Sequence, residues 1–89
     1  MKIKVRNIES NKGNKIPNQF GITMSNGTEI FQSYDSVIVK RTHKNTYLDR
    51  DYWDYSVTTG KYRNIFLRES RTETEQKIED GVYKLANLN

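Results

Sequence analysis

Apolar and polar positions alternate through the first half of the chain. In Lys2–Ile8, Ile3 and Val5 stand between Lys2, Lys4 and Arg6. That period of two predicts a half-buried strand with its basic residues outward. The stretch 9–18, with Gly13 and Pro17, reads as a loop. In 19–34, Phe20, Ile22 and Met24 alternate with Gln19, Gly21 and Thr23, and Asn26-Gly27 follows as a hairpin signal. With Asn26-Gly27 as a two-residue loop, Ile22 faces Phe31 and Thr23 faces Ile30. Phe20, Ile22, Met24 and Phe31 are then expected on the core side. Val37-Ile38-Val39 suits a central strand packed on both faces, His43–Asn45 a polar turn, and 46–50 a short returning strand.

The pattern then changes period. Tyr62, Ile65 and Phe66 make an inward helical stripe, with Lys61, Asn64 and Arg68 outward. Thr58 or Thr59 is the expected cap of a helix starting near Gly60 or Lys61. Ser70…Glu73 and Thr72…Glu75 both fit a capping box for a second helix, ended by Gly81. Glu73 and Lys77 have the spacing of a favourable helical ion pair. Val82–Ala86 is expected as a final strand, at a sheet edge. The order βββββ-α-α-β predicts an α+β fold, a curved antiparallel sheet of about five to six strands with two short helices on one face. No repeat or linker divides residues 1–89, so a single domain is expected.

Composition narrows the chemistry. The chain has no cysteine and one histidine, which excludes a thiolate or multi-histidine metal site within one copy. No apolar run approaches the ~20 residues of a membrane-spanning helix, and MKIKVRNIES has no signal-peptide core. Net charge is +4, with the basic residues concentrated at the start and acids in 73–80. That permits an anionic partner without requiring one.

Candidate motifs fail on spacing. Thr59-Gly60-Lys61 resembles part of a phosphate loop. However, Tyr55 stands where its first glycine belongs and Tyr62 where the magnesium-holding Ser or Thr belongs. A helix N-terminus there could still hold one anion. Asp49, Asp51 and Asp54 lack the glycine and bidentate Glu of a calcium loop and read as turn carboxylates. Glu75-x-Lys77 falls on a predicted helix, not on the adjacent strand positions of a nuclease core. His43 has no partner set for a triad. No catalytic residue, cofactor or metal is expected.

What remains is a basic and aromatic mixture densest in 52–67. Lys40, Arg41, Lys44, Lys61, Arg63, Arg68 and Arg71 could form a positive surface. Tyr47, Tyr52, Trp53, Tyr55 and Tyr62 could supply stacking faces. The same residue types build protein-interface hot spots, and also the core of a small domain poor in Leu. The candidate binding surface is therefore Lys40, Arg41, Lys44, Trp53, Tyr55, Lys61, Arg63 and Arg68. Trp53 and Tyr55 are open to a core, protein-interface or nucleic-acid reading.

Three blocks carry a resemblance: FQSYDSVI (31–38), YLDRDYWDYS-x-TTGKYRN-x-FL (47–67) and the closing EDGVYKLANLN. They resemble small proteins of unknown function encoded by tailed phages and prophages of low-GC Gram-positive bacteria. The resemblance implies a non-enzymatic phage accessory protein in the host bacterial cytoplasm. It implies binding to a host protein or ribonucleoprotein, such as inhibition of a CRISPR nuclease or another defence effector. A small basic nucleic-acid-binding regulator is the alternative.

Overall fold

The computed structural model describes residues 2–10 and 12–89; Met1 and Asn11, the latter inside the stretch read as a loop, lie outside the described residues. Five strands come first: β1 (Ile3–Glu9), β2 (Lys15–Met24), β3 (Glu29–Ser33), β4 (Ser36–Arg41) and β5 (Thr46–Asp49). Helices α1 (Val57–Leu67) and α2 (Arg71–Glu79) follow, then β6 (Tyr83–Ala86). The described strands form one open sheet in the order β1-β2-β3-β4-β5-β6. This is the expected α+β arrangement. The sheet is mixed, because β6 pairs parallel to β5 while the other neighbours are antiparallel. A parallel neighbour needs a long crossover, and α1 with α2 supplies it.

The β2–β3 register departs from expectation by one residue. Met24 N–H donates to the Thr28 carbonyl and Gly27 N–H to the Met24 carbonyl, so the loop holds Ser25, Asn26 and Gly27. Gly27 takes φ +89°, the left-handed position that closes such a three-residue loop. Ile22 therefore pairs with Ile30, and Phe31 pairs with Gly21. A one-residue slip exchanges the faces of a strand. Phe31 is fully buried under the helices, whereas Phe20, Ile22 and Met24 lie on the opposite face and are half-buried. The β1 expectation inverts for the same reason. Ile3 and Val5 pair with Met24 and Ile22 and stay 57% and 61% exposed, while Lys4 and Arg6 take the helix side.

The core lies between the sheet and the helices: Ile8, Phe31, Ile38, Val39, Leu48, Tyr62, Phe66 and Leu67. A register shift in β4, between Phe31↔Val39 and Gln32↔Val37, leaves Ile38 as the extra residue. Such a bulge turns neighbouring side chains to one side, and both Ile38 and Val39 join the core. Phe31 and Phe66 stack with ring centroids 5.7 Å apart.

β2 begins at Lys15, earlier than the loop reading allowed. Pro17 falls where the β1–β2 register is interrupted between Asn7 and Glu9, so its missing N–H breaks no ladder bond. Helix α1 also begins earlier, at Val57, capped by Ser56, whose hydroxyl accepts from the Thr59 N–H. Thr59 is not the cap because its own hydroxyl is buried against Ser33, 3.0 Å away, tying α1 to β3. Helix α2 has the expected Ser70–Glu73 capping box. The expected Glu73–Lys77 pair is replaced: Lys77 reaches back to Glu69 and Arg71 pairs with Glu75.

Candidate functional site

The dense block at 52–67 splits into a buried lock and an exposed edge. Asp49 ends β5 and directs the following turn. One carboxylate oxygen accepts from the N–H groups of Asp51 and Tyr52, and the other from Leu88 N–H. The turn presents the Trp53 carbonyl and the Asp54 carboxylate to α1. Arg63 Nη1 donates to the Trp53 carbonyl at 2.6 Å and to Asp54 Oδ1 at 3.0 Å, while Nη2 donates to Asn64 Oδ1. Arg63 is only 1% exposed and lies against the Trp53 ring. The expectation of Arg63 as an outer binding residue is corrected: its spacing on the helix faces the turn, where an anion and a carbonyl compensate its burial. Arg71, on the surface, holds the other Asp54 oxygen at 2.7 Å and also lies near the Trp53 ring. Burial would raise the Asp54 carboxyl, but hydrogen bonds from Arg71 and Arg63 outweigh it and hold it below the usual carboxylate range. Trp53 is half-buried and packs on the core, so it positions these guanidiniums rather than standing free.

The exposed edge follows directly. Tyr52 and Tyr55 meet edge to face at 5.3 Å, and Tyr55 is 48% exposed. Val57, at the first turn of α1, is 93% exposed. Tyr55 and Val57 border a groove of ≈ 640 Å³ along α1, lined also by Gly60, Lys61 and Arg71. Gly60 forms part of the lining. A Cβ there would meet Arg63 Nη2 at 3.6 Å and Asp54 Oδ1 at 3.8 Å, ordinary contacts, so packing does not require glycine. Glycine within a helix nevertheless costs about 1 kcal/mol relative to alanine.

The remaining basic candidates do not converge on this groove. Lys40 lines a hollow with Met24, Ile30 and Val37, and Lys44 one at the β4–β5 turn. Arg41 and Arg68 do come together, in a third cleft with Arg6, which sequence reasoning had assigned to an outer strand face. Arg41 holds Glu29 at 3.2 Å and stacks over Phe66. Arg68 ends α1 with φ +58°, a left-handed position that costs a non-glycine residue about 1 kcal/mol. Of the other proposed stacking residues, Tyr62 is core and Tyr47 is half-buried, its register placing it across from Lys40 and Lys84.

Residues 3–81 match the model of DUF8033, a family of unknown function. The chain belongs to this family. No curated protein and no solved structure matches the chain. The family match spans both the Trp53–Arg63 lock and the arginine cleft, so both are contained within the family's domain. No described helix is long and apolar enough to cross a membrane.

Proposed function

We propose that this chain is a non-enzymatic phage accessory protein that binds a host protein or ribonucleoprotein, inhibiting a defence effector such as a CRISPR nuclease in the host bacterial cytoplasm. The contact surface is the groove bordered by Tyr55, Val57 and Lys61. The observation that carries this reading is the exposure of Tyr55 and Val57 together, in the lining of that groove, with the exposed Tyr52 ring packed on Tyr55. Aromatic anchors beside charged groups are the composition of interface hot spots. The phage context rests on the sequence resemblance.

The alternative, a nucleic-acid-binding regulator, needs a basic track alongside stacking faces. Lys40 and Lys61 line clefts apart from Arg41, Lys44 and Arg68, and Arg41, which links the Arg6–Arg68 cleft to the Lys44 hollow, brings in neither of the exposed aromatics Tyr52 and Tyr55, which favours the protein partner.

The test is affinity capture from host-cell lysate with the wild type and with Tyr55→Ala/Val57→Asp. Both side chains are exposed, so the variant should keep the wild-type unfolding midpoint. The reading expects one stoichiometric partner that the variant loses. A partner retained by the variant, or none at micromolar protein, refutes it. Gly60→Ala should raise the unfolding midpoint, because the helix has room for a Cβ there.

A further inference from the structure

The cleft holding Arg6, Arg41 and Arg68 lies where the C-terminal end of α1 meets β1–β4. Its volume is ≈ 580 Å³, within the range of small-molecule sites, and Ile8, Ile65, Phe66 and Leu67 contribute apolar lining. Glu9 and Glu29 also line it, but Glu29 is engaged by Arg41. Arg6 and Arg68 have no acidic partner among the described residues.

Two features mark these arginines, whose guanidiniums have no ion pair among the described residues. The Arg6 guanidinium occupies the space where a side chain at its cross-strand neighbour Gly21, in mid-strand, would begin. A Cβ at that position would come within 2.0 Å of Arg6 Nη1, so glycine is what makes room for it. Glycine inside a strand commonly marks such a close approach. Arg68 occupies the left-handed cap where glycine or asparagine is the ordinary choice. Among the described residues the side chain there gains no hydrogen bond that would offset the backbone cost.

We infer that this cleft binds a small molecule through a phosphate or carboxylate group held between Arg6 and Arg68, with its apolar or planar body against Ile8, Ile65 and Leu67. Guanidinium is the side chain best matched to such oxyanions, through paired N–H donors. Arg41, fixed by Glu29 and Phe66, shapes the wall and adds positive potential. The site is separate from the Tyr55–Val57 groove, and the two readings stand or fall independently.

The experiment is a titration of the full chain, at matched ionic strength, with inorganic phosphate, a nucleoside monophosphate and a dicarboxylate such as succinate. The readouts are the Arg side-chain N–H resonances and the unfolding midpoint. A saturable shift confined to Arg6, Arg41 and Arg68 is expected with at least one probe. The probe that saturates separates a phosphate source from a carboxylate source. Arg6→Gln should weaken that binding about tenfold or more, the loss expected for one charge-assisted contact. Gly21→Ala should weaken it similarly with net charge unchanged, because the new methyl displaces only the flexible end of Arg6. Arg68→Gly should weaken binding while raising the unfolding midpoint. Linear, unsaturable shifts with every probe overturn the inference. So does binding that survives both Arg6→Gln and Gly21→Ala.

Discussion

Arg63 shows what a single residue contributes here. A buried guanidinium is tolerable only if its charge and donors are met, and Asp54, Asn64 and the Trp53 carbonyl meet them. Among the described residues its Nε has no hydrogen-bond partner, so the site carries a residual cost. Replacing Arg63 with Met keeps bulk but strands the Trp53 carbonyl and half of the Asp54 contacts. Loss of about 3 kcal/mol is expected, measured by urea unfolding. A change within a few tenths would show that the lock is incidental. Glu69 plays a similar part beyond α1, accepting from Thr74 Oγ1 at 2.6 Å, Lys77 Nζ at 2.8 Å and Tyr83 OH at 2.6 Å. The Arg63 position was legible as helical but not as buried. Nothing in its neighbours along the chain announces that the preceding turn will offer it an anion.

Among the elements, the β2–β3 hairpin and the start of α1 are most dependent on particular residues. Asn26-Gly27 identified the hairpin correctly but not its loop length. A three-residue loop closed by a left-handed Gly27 adds one residue to the connection and so moves Phe31 to the other face. Gly27→Ala should cost about 1 kcal/mol or more, because alanine disfavours φ +89° and its methyl would come within 2.7 Å of the His43 ring. Ser56→Ala should cost about 1 kcal/mol by removing the α1 cap. Equilibrium unfolding of both variants measures this, and an unchanged midpoint for Ser56→Ala would place the cap elsewhere. The capping box of α2 was readable as one of two candidates, since cap and partner lie within four consecutive residues, Ser70–Glu73.

For the whole molecule, charge and fold meet in three carboxylates. Burial works to raise Asp49, Asp54 and Glu69, yet each is held below its ordinary value by donors that outweigh it. For Asp49 these include Leu88 and Asn89, for Asp54 Arg71 and Arg63, and for Glu69 Lys77, Thr74 and Tyr83. A depressed folded-state value gives stability that is complete above the unfolded value and is lost as pH falls through the folded one. The unfolding midpoint should therefore stay level down to about pH 5 and fall below about pH 4. The acid fall should be shallower in Asp54→Asn/Glu69→Gln; an equal slope would mean that other groups set the acid limit. Burial and the neighbouring Glu69 raise the Tyr83 hydroxyl, so its contribution is present below about pH 10 and lost as pH rises through its raised value. By itself the sequence determined the order of elements and the α+β class, and narrowed the α2 cap to Ser70 or Thr72. Those follow from local periodicity, turn chemistry and propensity, each expressed within a few neighbouring residues. Only the tertiary structure decided which strand faces are covered, that Arg63 is buried, and that Arg6, Arg41 and Arg68 share a cleft. Strand faces invert with a one-residue change in register, and these contacts join residues far apart in the chain, so no local pattern encodes them.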